Sequence, residues 1–359
     1  MAFELQNYKF SIGEHHDKNV IWVKFENDLK LRTELKQKFP LVKFSWSQKC
    51  WYLPDINAIR EQVGINKKIE INKELILKIH EINRPSLQRM LDTLILKSYS
   101  ENTIKTYCGE FAQLLITLKK VHADTLTPER LKAYFLYCIK ELELSENLIH
   151  SRINAVKFYF EQVLHRDIML FDDIPRPKKK YLLPKVFSKE DILLLFQAID
   201  NPKHLLMMKL CYGMGLRVSE VVNLKINNID FCRLMVQIEA SKGKKDRYVN
   251  LPVSIVEELK NYLVVFKPQK FIFEGQYGGQ YSIRSVQAVF KTAMKKANIN
   301  KDVGIHSLRH SYATHLLEAG TDMIFIQKLL GHKDIKTTEI YAKVSNKQLS
   351  KIKSPLDDL

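Results

Sequence analysis

The last third of this 359-residue chain holds polar residues that could together bind, activate and cleave a phosphodiester. Cleavage by transesterification needs an attacking oxygen, a proton for the departing 5′ oxygen, and positive charge beside the non-bridging oxygens. Its catalysis is therefore mostly positioning and electrostatics. A tyrosine, a lysine, two histidines and two arginines could supply these functions. In chain order the candidates are Arg217, Lys242, His306, Arg309, His332 and Tyr341.

Two arginines could bind the phosphate. Arg217 follows Gly213 and Gly215, whose lack of a side chain would let the backbone approach DNA closely. Arginine stays charged and can grip two phosphate oxygens in a fork, which lysine cannot. Glu220 lies three residues further on and could hold the Arg217 guanidinium; the alternative is an ordinary surface ion pair of little energetic value. Arg309 is the second predicted phosphate ligand.

Two histidines could take part in proton transfer. His306 and Arg309 are spaced i and i+3, which places both on one face of a predicted helix that Gly320 ends. A pKa near neutrality suits His306 to exchange a proton with the tyrosine or to orient the phosphate. His332 follows Gly331, which ends the next predicted helix. There its side chain can turn into a cleft or simply interact with the helix C-terminus.

The same histidines raise the alternative of a metal site, because His306 and His310 are spaced i and i+4 and His315 follows. Zinc needs a third and usually a fourth ligand, and an HExxH motif would require glutamate where Ser307 stands. A neighbouring arginine would also repel the cation. We therefore predict no metal and no cofactor.

Alternating apolar residues predict a β-hairpin between residues 234 and 251, with a polar turn from Ser241 to Asp246. The tip of this hairpin carries Lys242, Lys244 and Lys245. A compact ammonium group on a flexible stem suits a general acid that reaches the leaving 5′ oxygen. Lys242 and Lys244 are both candidates for that role.

Tyr341 is the candidate nucleophile, on a short helix predicted to begin near Thr337 and Thr338. A free tyrosine has a pKa near ~10, so a nucleophile at neutral pH needs cationic neighbours or a base. The two arginines, the lysine and the two histidines would supply them. Taken alone, one of 15 tyrosines is more often a core aromatic.

A chain of this length can form several domains, each with its own core. Hydrophobic periodicity and breaks in composition predict five segments: a small α/β N-terminal domain over 1–68, a helical domain over 72–171, a linker over 172–186, a catalytic domain over 187–345 and a tail over 346–359.

In the N-terminal domain, Val20–Phe25 and Cys50–Leu53 are β-prone and flank a predicted helix over Leu29–Leu41. All three tryptophans of the chain lie here. We expect them to pack the core of a domain too small to be stable without large aromatics. The alternative is a base-stacking or groove-binding surface beside Lys43 and Lys49.

The helical domain is indicated by apolar residues spaced three and four apart behind helix caps. Ser100, Thr127 and Ser145 are predicted to begin helices, and Ser188 resembles a capping box that begins the catalytic domain. In the linker, prolines favour an extended chain. The lysines Lys178, Lys179 and Lys180 suit it to cross a phosphate backbone, although a lysine run is most often simply solvated.

Composition favours a folded protein that binds a polyanion. Lysine and arginine total 57 against 40 acidic residues, a formal net charge of +17 with a sequence pI of about 9.4. Such an excess makes nucleic acid the expected partner. Five scattered cysteines argue against a disulfide framework and for a reducing compartment. With neither a signal peptide nor a membrane-spanning run in the sequence, we expect a cytoplasmic protein.

The motifs occur in one order over the catalytic segment: Gly-Leu-Arg-x-Ser-Glu, Lys-Gly-Lys, His-x-Leu-Arg-His, Leu-Leu-Gly-His and Thr-Thr-x-x-Tyr. This set resembles the active site of the tyrosine recombinases, the integrase family that cuts and rejoins DNA through a tyrosine. The resemblance covers 187–345 firmly and 72–186 loosely. It implies a mainly α fold with small β-hairpins (α+β). A helical SAM-like core-binding domain would then precede the recombinase catalytic domain.

The resemblance also implies roles. Tyr341 would form a 3′-phosphotyrosine, Lys242 would be the acid, and Lys244 would be its main rival. Four protomers would exchange strands on double-stranded DNA with inverted half-sites, and the tail would contact a neighbouring protomer. An accessory DNA-bending protein could assist. Additional DNA contacts are expected from Lys244, Lys245, Arg247, Thr103, Lys105, Arg152, Lys178, Lys179 and Lys180.

The N-terminal domain is the departure from the simplest members of this family, which begin near the helical domain. An added module is more typical of integrases of mobile elements, where it binds arm sites, so we favour integration or excision over the resolution of chromosome dimers. Two other classes stay open: a type IB topoisomerase, which uses similar chemistry without synapsis, and a DNA-binding protein without catalysis.

Overall fold

The computed structural model describes residues 3–65, 72–166, 183–241, 245–276, 278–332 and 334–342. The chain divides into two compact units, one formed by Met1–Asn66 with Leu182–Leu359 and the other by Lys67–Tyr181. The N-terminal and catalytic segments, predicted as separate domains, are thus parts of one unit. Most of the predicted linker, with Lys178, Lys179 and Lys180, and the whole tail 346–359 lie outside the described residues.

The N-terminal segment is a four-stranded antiparallel sheet covered on one side by helices. The strands are β1 (Lys9–His15), β2 (Lys18–Lys24), β3 (Lys43–Ser45) and β4 (Cys50–Pro54), in the spatial order β1-β2-β4-β3. The helices are α1 (Leu29–Lys38), capped by Asp28, and α2 (Asn57–Gln62). The predicted β2, β4 and α1 are confirmed. β1 was not predicted, although Phe10 and Ile12 alternate with Ser11 and Gly13, and it pairs with β2 along its whole length.

The three tryptophans do not share one role. Trp51 packs against the buried cluster that contains Ile21, Leu35 and Leu53, as predicted. Trp46 is 85% exposed, so the prediction that it packs the core is wrong. Trp22 is half-buried but points away from that cluster, because its neighbours in β2, Ile21 and Val23, face the core and side chains alternate along a strand.

The second unit is a bundle of amphipathic helices: α3 (Lys73–Leu77), α4 (Arg84–Leu96), α5 (Glu101–Leu118), α6 (Pro128–Lys140) and α7 (Glu146–Phe158), which continues into a π-helical turn over Tyr159–Val163. The Ser100 hydroxyl accepts from the backbone N–H of Thr103, and that of Thr127 from Arg130. These caps confirm two predicted helix starts. Apolar residues of α4 to α7 form one buried cluster.

The catalytic segment is helical around a three-stranded sheet. Its helices are α8 (Lys189–Gln197), α9 (Pro202–Gly213), α10 (Val218–Asn223), α11 (Val253–Phe266), α12 (Ile283–Lys296), α13 (His306–Glu318), α14 (Met323–Leu330) and α15 (Lys336–Ala342). Its strands are β5 (Ile229–Asp230), β6 (Met235–Ser241) and β7 (Lys245–Asn250). The predicted hairpin is confirmed by the antiparallel pairing of β6 with β7, and the predicted capping box at Ser188 is present.

The observed architecture confirms the predicted class: mainly helical, with two small antiparallel sheets in the described residues. Within those residues, every helix is too short or too polar to cross a membrane.

Candidate active site

Tyr341 lies near the end of α15, packed against α13 and α14. Its side chain is 2% exposed and belongs to a buried cluster with Ala313, Leu317 and Leu330. Burial raises the pKa of the Tyr341 hydroxyl, and the charges of Arg309 and Arg217 only partly oppose this. The hydroxyl is therefore protonated at neutral pH in the free protein. In the free protein desolvation outweighs the charges of the two arginines, so activation of the hydroxyl also needs a base.

His310 contacts the candidate nucleophile directly. Its Nδ1 lies 3.0 Å from the Tyr341 hydroxyl oxygen. Burial, and then the neighbouring His306 and Arg309, lower the His310 pKa to about 4. The ring is thus neutral at physiological pH, and with its proton on Nε2 it can accept the tyrosine proton through Nδ1. From the sequence, the i and i+4 spacing of His310 with His306 indicates only an alternative metal ligand. Its position directly after Arg309 is the one feature of the sequence that could have placed it in the candidate active site.

The two predicted histidines flank this pair. The rings of His332 and Tyr341 stack with centroids 6.4 Å apart, and His332 Nδ1 lies 3.0 Å from the Thr338 hydroxyl. Burial, and then the charges of Arg309 and Arg217, lower the His332 pKa to about 4. Gly331 ends α14 in the left-handed conformation, as predicted.

His306 is the first residue of α13; its side chain reaches solvent, although the surrounding protein still removes part of the hydration of the ring. Its ring centroid lies 4.9 Å from that of His310. Desolvation, and then the charges of Arg309 and Arg217, lower its pKa. The structure therefore brings His306, His310 and His332 together around Tyr341.

Glu220 holds an arginine cluster. Its carboxylate accepts from Arg217 Nη1 at 2.7 Å and from both Arg247 Nη atoms at 2.8 Å, and Arg309 Nη1 lies 3.8 Å away. Burial opposes its ionisation, but the hydrogen bonds and charge of Arg247, with further contributions from Arg217 and Arg309, lower the Glu220 pKa to about 2. The predicted contact between Glu220 and Arg217 is present and is one part of a larger network.

Arg309 lies at the floor of the site. Its side chain is fully buried, with Nη1 donating to the Gly215 carbonyl at 2.7 Å and Nη2 to that of Leu330. Burial lowers its pKa to about 9, which leaves it charged at neutral pH. Gly215 has a φ of +60°, and a Cβ there would lie 2.4 Å from the Tyr312 ring. The structure thus explains this glycine by conformation and close packing within the protein.

Two predicted DNA ligands have other partners. Arg247 is bound to Glu220 and to the Leu329 carbonyl, and its side chain is 8% exposed. Arg152 is buried, with Nε 2.8 Å from Glu110. In this structure both guanidiniums form hydrogen bonds within the protein. We therefore correct their assignment as DNA contacts. A buried charge is stable only when it is paired.

The remaining predicted ligands are less constrained. Thr103 is half-buried, with its hydroxyl 2.8 Å from that of Ser100, and Lys105 is exposed on α5. Lys245 begins β7, but its side chain, like Lys242 and Lys244 as a whole, lies outside the described residues.

His310 and His332 both lie beside the Tyr341 ring. In the described ranges, no group of three His, Cys, Asp or Glu side chains is placed to hold a metal ion. His315 Nδ1 instead lies 2.9 Å from the Tyr212 hydroxyl. A buried hydroxyl beside a neutral imidazole, with arginines held by one carboxylate, can support nucleophilic attack on a bound anion.

Comparison with known proteins shows the family of this chain. The family model described as Phage integrase family matches residues 185–348, and that described as Phage integrase, N-terminal SAM-like domain, matches 87–170. Over 275 residues the chain is 35% identical to y4qK of Sinorhizobium fredii, provisionally named an integrase/recombinase; the match covers 76% of this chain and 89% of that relative. The chain belongs to the phage integrase family of tyrosine recombinases. Tyrosine recombinase XerC of Staphylococcus aureus is 32% identical over 277 residues, covering 73% of this chain and 93% of XerC.

Solved structures of tyrosine recombinases share the fold. A λ integrase(75–356) dimer bound to a COC′ core site aligns with a TM-score of 0.58 at 18% identity, covering 70% of this chain and 96% of that one. The XerH recombinase bound to palindromic difH aligns with a TM-score of 0.57 at 19% identity, covering 70% and 78%. Family membership confirms the predicted resemblance to tyrosine recombinases. It makes this protein an enzyme that acts on DNA. Neither matched family range includes residues 1–86.

Proposed function

We propose that this tyrosine recombinase integrates or excises a mobile DNA element by forming a 3′-phosphotyrosine at Tyr341. The observation that carries the chemistry is the Tyr341 hydroxyl, enclosed beside His310 and the arginines that Glu220 organises. The observation that favours a mobile element over a chromosome-dimer resolvase is the folded segment ahead of the matched SAM-like range.

In the proposed reaction the Tyr341 oxygen attacks the scissile phosphorus and its proton passes to His310. The P–O bond to the 5′ oxygen breaks, and Lys242 protonates that oxygen to give a free 5′ hydroxyl. Arg217 and Arg309 stabilise charge on the non-bridging oxygens. Arg309 has five N–H donors, and the carbonyls of Gly215 and Leu330 leave some of them for phosphate.

In the second step a 5′ hydroxyl from the partner strand attacks the phosphotyrosine phosphorus. The new phosphodiester forms as the bond to Tyr341 breaks, and the tyrosine recovers its proton. The number of phosphodiester bonds is unchanged, so the reaction consumes no ATP. His306 and His332 would orient the phosphate or move protons between the steps.

The assembly we propose is a homotetramer on two double-stranded sites with inverted half-sites, because a two-fold arrangement of protomers matches a two-fold site. The bound DNA in the λ integrase and XerH structures supports double-stranded DNA as partner. We place the reaction in the cytoplasm, consistent with five cysteines that are all unpaired. The proposed contact of the 346–359 tail predicts that truncation after residue 345 prevents synapsis.

The test is to map covalent protein–DNA adducts across the host genome for the wild type and for Tyr341→Phe. Tyr281→Phe is the matched control, because its hydroxyl bonds His204, outside the candidate site. We expect adducts at inverted repeats at the ends of an element, lost only in Tyr341→Phe. Adducts near the replication terminus would indicate a dimer resolvase, and scattered ones a topoisomerase. Persistence of adducts in Tyr341→Phe would overturn the assigned nucleophile.

A further inference from the structure

The N-terminal sheet has a face that the core does not use. Paired residues of antiparallel strands share a face, and the register aligns Ser11, Trp22, Tyr52 and Lys43 in one row across all four strands. Their neighbours Ile21, Val23 and Leu53 point the other way into the core. We define the outer sheet face as Ser11, Gly13, His15, Lys18, Trp22, Lys43 and Tyr52.

Three aromatic rings form a cluster on the outer sheet face. The centroids of His15 and Tyr52 lie 4.8 Å apart, those of His15 and Trp22 5.4 Å, and those of Trp22 and Tyr52 5.8 Å. The Trp22 ring lies against Gly13, where a Cβ would be 2.3 Å from the indole Nε1. Glycine at this position therefore lets the indole lie along the sheet. These half-buried rings lie outside the main buried cluster, on the same face as the buried Val20.

Exposed lysines flank the rings. Lys43 pairs with Tyr52 across β3 and β4, and Lys18 pairs with His15 across β1 and β2. The outer sheet face as defined contains no acidic residue. Beyond it, Lys9 and Lys24 line a cavity that also contains the acidic residues Glu4, Glu26, Asp28 and Glu34. We therefore expect an anionic backbone to bind beside Lys18 and Lys43 instead.

The outer sheet face is also turned away from the rest of its unit. The N-terminal segment meets the catalytic segment through α2, where Gln62 lies beside Gly278 and Glu61 is 3.8 Å from Lys270. This helix covers the core side of the sheet. Docking on the catalytic segment through α2 therefore does not cover the aromatic cluster.

The shape of the surface favours unpaired bases over a duplex. Four strands spaced ~4.8 Å apart span roughly 14 Å between their outer axes. The major groove of B-DNA is about 12 Å wide and admits a helix or a two-stranded ribbon. A duplex offers only base edges in its grooves, whereas unpaired bases offer flat faces that stack on aromatic rings whatever their sequence.

We propose that the outer sheet face binds single-stranded nucleic acid, stacking unpaired bases on Trp22 and Tyr52 and placing phosphates beside Lys18 and Lys43. This binding is separate from the recombination proposed above and does not depend on Tyr341. It also differs from the arm-site expectation, in which the N-terminal domain binds a duplex.

Intrinsic fluorescence provides the test, because all three tryptophans of the chain lie in the N-terminal segment. We would titrate the full-length protein with a short oligothymidylate. In the wild type we expect the oligothymidylate to quench the tryptophan fluorescence. In Trp22→Phe the quenching should be smaller while the affinity is unchanged, because phenylalanine still stacks on bases. The double variant Trp22→Ala/Tyr52→Ala should lose at least about tenfold in affinity. Trp46→Ala, which removes an exposed ring outside this face, is the matched control.

Salt dependence tests the lysines. Replacing Lys18 and Lys43 by alanine should make the slope of log affinity against log salt shallower by about 1.4, at roughly 0.7 per single-strand phosphate contact. Unchanged oligothymidylate affinity in the folded double aromatic variant would overturn the proposal. The proposal would also be overturned if this double variant lost more affinity for a duplex than for the single strand. That result would instead support arm-site binding. Adduct formation by Tyr341 should stay intact in every variant, so this test fails or succeeds apart from the recombinase test.

Discussion

At the scale of single residues, the candidate nucleophile Tyr341 and its neighbour His310 are both uncharged in the free protein, and they are already in hydrogen-bonding contact. Tyr341 keeps its proton because burial raises its pKa, while the neutral His310 ring lies 3.0 Å from its oxygen. Proton transfer to His310 would then accompany attack, so that no free phenolate has to persist in the unbound protein.

This geometry makes His310 a specific target. We expect His310→Ala to slow single-turnover cleavage of the mapped site on the order of a hundredfold, because the acceptor for the tyrosine proton is removed. The dependence of the cleavage rate on pH should also change, a readout that a purely structural role would not move. His315→Ala is the matched control, since its partner is Tyr212. Wild-type cleavage kinetics in His310→Ala would exclude this role.

The Glu220 carboxylate neutralises part of the positive charge of the arginine cluster and hydrogen-bonds Arg217 and Arg247. Its folded pKa of about 2 lies below the ordinary 4.5. A lowered carboxylate pKa contributes stability that is present above about pH 4.5 and is lost as the pH falls toward 2. We expect Glu220→Gln to lower the free energy of unfolding by about 3 kcal/mol at pH 7, with a smaller difference at pH 3, measured by urea denaturation.

The control for that measurement is Glu239→Gln, which breaks a surface pair with Lys225 and should cost under about 1 kcal/mol. A pH-independent difference for Glu220→Gln would mean that its ionisation does not stabilise the fold.

At the scale of elements, the site depends on how α10, α13, α14 and α15 meet. Gly215, just ahead of α10, supplies the carbonyl that accepts from Arg309 on α13, and the end of α14 supplies the second carbonyl. The Arg309 side chain therefore links the turn ahead of α10 to the end of α14, although α10 is distant from both helices in the chain.

We predict that Gly215→Ala destabilises the catalytic segment by about 2–5 kcal/mol. An alanine there would adopt an unfavourable positive φ, and its Cβ would overlap the Tyr312 ring. Denaturant unfolding measures the loss. The control is Gly109→Ala in the middle of α5, where a Cβ meets no atom within 4 Å and alanine should stabilise by about 0.5–1 kcal/mol. Equal stability of both variants would contradict the packing argument.

At the scale of the whole molecule, the net charge of +17 dominates the encounter with DNA. A protein that makes about 6–10 phosphate contacts loses roughly 10³–10⁵ in affinity between ~50 and ~200 mM salt. We expect this steep dependence for the wild type in a fluorescence anisotropy assay. Tyr341→Phe should bind with the same slope, because it removes the nucleophile and no charge. A shallow slope would indicate that few lysines and arginines touch phosphate.

Local features of the sequence determined much of this protein. The caps at Ser100, Thr127 and Ser188 and the contact of Glu220 with Arg217 join residues three apart, so their spacing alone predicts them. The hairpin follows from the alternation of apolar and polar residues along its strands. The ordered motifs of the catalytic segment are sufficient to predict the family.

Only the tertiary structure decided which distant groups meet. His310 reaches Tyr341 across 31 residues, Arg309 reaches Gly215 across 94, and Arg152 is paired with Glu110 across 42. Burial then set the direction of the Tyr341 pKa, against the charges of Arg309 and Arg217. The physical reason is that desolvation and hydrogen bonding depend on the packing around a group, and spacing along the chain does not contain that packing.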